Sequence, residues 1–413
     1  MDFSLRRWLR ICFLNLLIVA LIGVTLRYKI AFSLPFVDQK HLLHGHSHFA
    51  FGGWITQVLM VLMVNRFSGK DPSAFRRYHG LLMGNLLTAY GMLLSFPLQG
   101  YGWASIFFST ASIFVSWIFA VTYLADQSRQ EPRAAAGNWF RAALVFNVLS
   151  SLGAFFLAGM MAGKIVHANW YLAAQYYFLH FQYNGWFFFA AMGLFICRME
   201  NLLTNRRPLG RIFWLFATAC VPAYFLSALW MPIPVWVYVL VILAALAQGV
   251  AWVQFVQLIR RNSAIYKILF APLSRRLLGL SAIALSVKLL LQLGSTHPAL
   301  SQLAFGFRPI VIGYLHLVLL GVITLFLIGY ALAAANWMIS RRIRIACWIF
   351  VAGIVINEVL LMAQGIAGFG YIAIPHADHW LLGAALIMCS GVLLLNLAAG
   401  AERKNEAAGA KMR

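Results

Sequence analysis

The feature that most constrains this chain is a series of apolar segments, each about 20 residues long, separated by short basic loops. A segment of this length crosses a bilayer as one α-helix, because the helix makes all of its backbone hydrogen bonds internally. About twelve such spans can be marked along the sequence: 9–30, 43–65, 77–98, 103–125, 141–163, 170–197, 211–230, 233–258, 277–294, 308–334, 343–367 and 378–399. The sequence therefore predicts an all-α membrane protein, one polytopic domain over residues 1–413 that ends in a short basic tail, 400–413.

The composition excludes a soluble globular enzyme. Hydrophobic residues make up 62% of the chain, charged residues 10%, and the mean hydropathy is +0.82, whereas a soluble domain has about 25% charged residues. The net charge of +22 could indicate nucleic acid, but the basic residues are spread over short loops and form no single face. We therefore expect the lipid bilayer, and no nucleic acid, as a partner. The five cysteines form no CxxC motif and predict no disulfide framework.

The basic residues also predict an orientation. Of the 32 Lys and Arg residues, Lys288 lies inside a span and five lie opposite the N-terminal side, namely Arg27, Lys29, Lys40, Lys164 and Arg308. The remaining 26 lie on the N-terminal side, and cytoplasmic loops carry such an excess. Both termini are thus predicted to be cytoplasmic, in the inner (cytoplasmic) membrane. The first span lacks a small-residue cleavage site and is interpreted as a signal-anchor.

The histidines follow the opposite distribution. Of the 11 histidines, only His79 lies at an inner span end, and the others fall in outer loops or outer halves of spans. His180 and His316 lie well inside apolar helices, where an imidazole needs a partner. A ligand role and a buried hydrogen bond both remain open for these two.

Three histidines open a repeated pattern. Residues 48–54 and 180–186 both read His-Phe-x-aromatic-x-Gly-Trp, and 316–321 is a weaker copy with the same histidine and glycine. The offsets are 132 and 136 residues, and each repeat advances by four spans. This spacing predicts three pseudo-repeated four-helix arcs. A glycine five residues after each histidine removes side-chain bulk, so that a flat macrocycle or another helix can approach.

Twelve spans in three arcs, with histidines in the outer halves of spans 2, 6 and 10, resemble subunit I of the haem-copper oxidases. The chain is also similar to the NnrS type, twelve-span haem and copper proteins linked to nitric oxide stress. The resemblance covers the chain in topology and is weak in sequence. It implies His48 and His316 as ligands of haem, b-type by expectation, and His180 as a ligand of copper, which is a further possible cofactor.

The departures from the oxidase pattern limit the implied chemistry. Tyr314 stands where the oxidases have a second span 10 histidine, and residues 229–234 contain no histidine pair. Asn184 occupies the position of a tyrosine, with Tyr183 one residue early. The resemblance thus implies a redox or nitric oxide-related role without full dioxygen reduction, and it leaves oxidoreductase activity and the electron donor open. His180, Gln182 and Tyr183 are expected to face a pocket for a small gas, with Tyr183 as a hydrogen-bond donor.

Two further histidine and arginine features suit a cofactor. His41, His44 and His48 share one helical face if the second helix begins early, and His44 with His48 could chelate copper or zinc. A helix end that is merely polar is the alternative. Arg308 lies eight residues before His316, about 12 Å along a helix, and could hold a haem propionate or anchor to lipid headgroups.

Lys288 and Glu358 are the charges inside spans. They could mark a proton path, pair with each other, or be satisfied by neighbouring amides such as Gln292 and Asn357, and Glu358 could also be protonated. Buried charges and internal repeats also suit a membrane transporter, which would require helices broken at matching positions of the repeats. A non-catalytic scaffold or assembly relative of the oxidases is the third interpretation.

Overall fold

A computed structural model of the chain describes residues 4–67, 72–130, 134–301 and 307–411, and within these ranges the fold is helical with no β-strand. The α-helices are α1 Leu5–Ala31, α2 Gln39–Phe49, α3 Gln57–Asn65, α4 Pro72–Gln99, α5 Trp103–Gln130, α6 Ala135–Ala162, α7 Ala168–His180, α8 Phe188–Met199, α9 Arg207–Cys220, α10 Val235–Arg261, α11 Ser263–Leu269, α12 Pro272–Gly294, α13 Arg308–His316, α14 Leu325–Ala334, α15 Arg341–Phe369 and α16 Ala377–Lys411. The last two residues of the predicted basic tail lie outside the described residues, and α16 continues through the rest of it.

Ten helical stretches of the described chain are long and apolar enough to cross a membrane. They are Leu5–Ala31, Gln39–Asn65, Arg76–Gln99, Trp103–Arg129, Ala135–Ala162, Val235–Arg261, Pro272–Gly294, Arg308–Ala334, Arg341–Phe369 and Ala377–Ala401. Each overlaps one of the predicted spans. The protein is therefore an all-helical, multi-pass membrane protein.

The sixth and seventh predicted spans depart from the pattern. The helical stretch from α7 to α8 is not among the ten, because its middle carries His180, Gln182 and Asn184 and is less apolar. The seventh span consists of α9 and a 3₁₀ helix, Pro222–Ala228, bent by 44° relative to each other. Pro222 has no backbone N–H to continue the helix, which explains the break.

The described residues form two compact units, the first made of Met1–Val115 with Ala331–Arg413 and the second of Ser116–Tyr330. In the first unit, α16 packs against both α1 and α15, and α2 packs against α4. Asn396 on α16 donates to the Phe13 carbonyl at 2.9 Å, and the Phe13 ring stacks on Trp337 with centroids 5.5 Å apart.

The second unit is built around α6 and the stretch from α7 to α8. α9 packs against α10, and α12 packs against the segment that follows α13. Buried polar groups fasten these helices: Asn147 donates to Ser116 Oγ at 2.6 Å, and Glu200 Oε2 accepts the Ala136 backbone N–H at 3.1 Å. The carboxylate of Glu200 thereby satisfies an N–H at the first turn of α6.

Candidate functional site

Three π-helical segments interrupt the helices at the three repeated histidines. The first, π1, covers Ala50–Thr56 and begins two residues after His48. The other two, π2 Phe181–Phe187 and π3 Leu317–Thr324, begin directly after His180 and His316. π-helices are rare and are often found at functional sites, because the wider turn shifts side chains out of the regular helical register.

Side chains from neighbouring helices satisfy backbone carbonyls in each π segment. In π1, the Gly52 carbonyl accepts from Asn85 Nδ2 at 3.0 Å and the Gly53 carbonyl from Asn15 Nδ2 at 2.6 Å. In π2, the thiol of Cys220 donates to the Asn184 carbonyl at 3.8 Å, and in π3 Ser281 Oγ donates to the Val322 carbonyl at 2.6 Å. The wide turns are thus held by specific buried donors in all three places.

The histidines of the first unit lie where their spacing predicts. α2 begins at Gln39, so His44 and His48 fall on one helical face, and both contact Phe96 and Tyr101. The His48 ring stacks on Phe96 with centroids 4.4 Å apart and an interplanar angle of 11°. The ring nitrogens of His48 make no hydrogen bond to any described residue, and Nε2 of His44 is buried without such a partner.

The start of α2 orients the remaining histidines of this cluster. The carboxylate of Asp38 accepts the His41 backbone N–H at 2.8 Å and caps the helix, and this hydrogen bond lowers the pKa of Asp38. The His41 ring lies against Gly100, whose φ of +59° and lack of a side chain permit that approach. His46 points away from this face, towards Gly23 of α1.

Both ring nitrogens of His180 are hydrogen-bonded to protein groups. Nε2 lies 2.9 Å from the carbonyl of Cys220, and Nδ1 lies 3.1 Å from Nδ2 of Asn184. An amide N–H donates and a carbonyl accepts, so the ring is neutral, with its proton on Nε2. The side chain is 1% exposed. Of the two roles left open by the sequence, the structure gives this histidine the buried hydrogen-bond role.

Gln182 and Tyr183 both have hydrogen-bond partners within the protein. Gln182 Nε2 donates to Asn147 Oδ1 at 3.0 Å and to Ser150 Oγ at 2.7 Å, both on α6. Tyr183 hydrogen-bonds to Ser227 and lies edge-on to Tyr314, with ring centroids 6.4 Å apart. The amide of Gln182 thus fastens π2 to α6, and a gas pocket formed by these side chains stays a prediction.

His316 differs from His180 in its hydrogen bonding. Its Nδ1 lies 2.8 Å from the Ile312 carbonyl of the preceding turn, so Nδ1 donates and the lone pair of the neutral ring is on Nε2. This tautomer is the one that haem-ligating histidines adopt when a carbonyl orients the ring. Arg308, at the start of the same helix, is exposed, which fits both interpretations of its role.

The repeated glycines serve helix packing. A Cβ on Gly185 would lie 2.5 Å from Cβ of Phe146, and one on Gly321 would lie 3.1 Å from Cβ of Ala284. At Gly53 the space is filled by the ring of Phe49 from the same helix, 2.6 Å from that Cβ position. Of the two uses predicted from the sequence, close packing of side chains and helices is the one observed.

The intramembrane charges have separate surroundings. In the first unit, Glu358 accepts from Asn357 Nδ2 at 3.0 Å, which is one of the alternatives left open by the sequence, and Arg27 lies close enough to interact electrostatically. In the second unit, Lys288 lines a small cavity together with Asn184, Cys220 and Gln248. Gln292 does not satisfy Lys288, since its own Oε1 is buried without a hydrogen-bond partner among the described residues.

Some residues at these sites are not identifiable from the sequence reasoning. Cys220 and Gln248 contribute to the cavity, and Phe96 and Tyr101 form the surface against His44 and His48. Pro222, two residues after Cys220, is the one local signal, because it marks a helix break.

No group of three or more His, Cys, Asp or Glu side chains suited to a metal ion occurs in the described part of the chain. Comparison with protein families and with curated proteins finds no match to this chain.

Proposed function

We propose that the chain is a haem-binding protein of the inner membrane, with twelve spans in three four-helix arcs and both termini cytoplasmic. The observation that carries the proposal is a π segment that begins one or two residues after each repeated histidine. Independent helices have no reason to widen at the same place, whereas three copies of one ancestral unit would share the feature. The sixth and seventh spans of this scheme are the polar π2 stretch and the bent pair beginning at α9.

Two histidines have surroundings that suit an axial haem ligand. In the second unit, the Ile312 carbonyl holds His316 in the tautomer whose Nε2 carries the lone pair. In the first unit, His48 is oriented by stacking on Phe96 and its nitrogens are not used by described protein groups. Arg308 and Tyr314 lie on the same helix as His316. Arg308 would bind a haem propionate, and Tyr314 would lie beside the haem.

The residues around His180 do not fit copper. Both nitrogens of its ring are already used, one by Cys220 and one by Asn184, and no trio of suitable side chains surrounds it among the described residues. His44 offers a buried Nε2 beside His48, but two imidazoles alone make an incomplete site. The proposal therefore contains no copper-dependent step.

When bound, haem iron would supply one-electron redox chemistry or an open position for a small gas such as nitric oxide. The protein would orient the imidazoles, keep water from the iron through aromatic packing, and hold His180 neutral. Four-electron reduction of dioxygen requires a second redox metal close to the haem, and the described donor groups do not assemble one. A redox or gas-binding role thus fits these residues better than an oxidase role.

One observation favours a transporter as the second candidate. The break between α9 and Pro222–Ala228 adjoins a polar cavity with a buried lysine, and broken helices beside buried charges are typical of transporters. The prediction for this class, however, requires breaks at matching positions of the repeats. Among the described residues, this bent pair is the only candidate span that is broken in this way.

The test compares haem content and spectra of purified variants. His48→Ala and His316→Ala are each expected to abolish the low-spin haem signal, because a missing axial imidazole leaves the iron five-coordinate. His297→Ala is the matched control, since His297 is exposed and should leave the spectrum unchanged. A six-coordinate spectrum retained by His316→Ala would remove His316 from the proposal.

A further inference from the structure

The second unit contains a polar cavity at the break in the seventh predicted span. It lies where α9 ends at Cys220, and its polar lining comes from Asn184, Cys220, Gln248 and Lys288. Three phenylalanines and two leucines complete the wall. The cavity is small, with room for one water-sized or monatomic ligand.

Lys288 brings a buried amino group without a described protein partner to this cavity. The side chain is 5% exposed, and its ammonium makes no hydrogen bond or ion pair to any described residue. No carboxylate belongs to the cavity lining, and the described carboxylate of Glu200 is used by the Ala136 backbone N–H. A buried ammonium without a counter-charge is strongly unfavourable, so a compensating group is expected.

The neighbouring side chains do not supply that compensation. His180 is neutral, because one of its nitrogens donates and the other accepts. The thiol of Cys220 is engaged with the Asn184 carbonyl. Among the described residues, none of the groups that line the cavity brings a negative charge to Lys288, so we expect the compensating charge from a ligand.

We propose that this cavity binds a small monovalent anion, such as chloride, as the counter-ion of Lys288. The ammonium offers three N–H donors. Gln248 makes no hydrogen bond to any described residue, and its Oε1 is buried without a partner, so its amide can turn its NH₂ group towards an ion. The small volume admits a monatomic ion and excludes a large organic one.

The experiment measures the Tm of purified protein in sodium chloride and in sodium gluconate at equal ionic strength. Wild type is expected to be more stable in chloride, by about 2 °C or more, because an ion that binds only the folded state raises Tm. Lys288→Met should abolish the difference. The matched control Lys267→Met should retain it, since Lys267 is exposed on α11.

A second variant covers the case in which Lys288→Met does not fold. Gln248→Leu keeps the ammonium but removes the amide, and it should require several-fold more chloride for the same rise in Tm. Equal Tm values of wild type in the two salts would overturn the proposal and indicate a cavity that holds only water. A chloride effect that persists in Lys288→Met would place the ion elsewhere. Neither outcome depends on haem, so the proposed function is tested separately.

Discussion

The imidazole of His180 donates through Nε2 to the backbone carbonyl of Cys220, 2.9 Å away, at the point where α9 stops. A helix that breaks inside an apolar environment leaves carbonyls without their usual N–H partners, and each would be costly if unpaired. The histidine satisfies one of them, and Asn184 in turn fixes the histidine tautomer. A residue that could be taken for a metal ligand thus stabilises a broken span.

The first prediction concerns the two hydrogen bonds of His180. His180→Leu leaves the Cys220 carbonyl and the Asn184 amide without their partners, and each loss costs about 1–3 kcal/mol. A marked fall in Tm is expected in a thermal unfolding measurement, with no change in copper content. His297→Leu serves as the control at an exposed histidine. An unchanged Tm together with loss of bound copper would restore the ligand role of His180.

The second prediction concerns the support of π1. Asn85 donates to the Gly52 carbonyl and to Gln57 Oε1, at 3.0 and 2.7 Å, and is buried. Asn85→Ala should therefore destabilise the protein by about 1–3 kcal/mol and lower its haem content, because π1 begins only two residues after His48.

Asn138→Ala is the comparison, since Asn138 is exposed and its side-chain partner is Arg141. Thermal unfolding and haem content are measured for both variants. Equal behaviour of the two would mean that the carbonyls of π1 do not need the buried amide.

The third prediction concerns the packing of π2 against α6. In Gly185→Ala the new Cβ would lie 2.5 Å from Cβ of Phe146, so the helices must separate. We expect a loss of stability of about 1–3 kcal/mol. Gly249→Ala, where nothing lies within 4 Å of the new Cβ, should be neutral or slightly stabilising. A stable Gly185→Ala protein would contradict the close approach of α6 to π2.

The sequence predicts much of this fold because a helix that crosses lipid must be both long enough and apolar enough. Ten of the predicted spans overlap helices that meet both conditions. The repeated histidine pattern located the three π segments without indicating their wider turns, since these depend on donors from distant helices such as Asn15 and Ser281. The partners of His180 were equally unpredictable, because Cys220 contributes a backbone carbonyl, a group every residue has.

The fourth prediction concerns gas binding. The reduced protein is expected to bind carbon monoxide or nitric oxide and to show no rapid, cyanide-sensitive oxygen uptake with an artificial reductant. Gas binding requires one ferrous haem with an open or displaceable position, whereas oxygen reduction requires donors for a second metal that the described residues do not assemble. A difference spectrum and an oxygen electrode record the two outcomes. Rapid uptake by the isolated chain would show that further histidines, such as His376 and His379, supply metal ligands.

The most direct measurement of the central claim is the optical spectrum of the wild-type protein purified from haem-replete cells, followed by its pyridine haemochrome. We expect a Soret band and a haemochrome of b type in stoichiometric amount, with His48 and His316 as the proposed ligands. A colourless preparation of folded protein would contradict the haem proposal and favour the transporter instead.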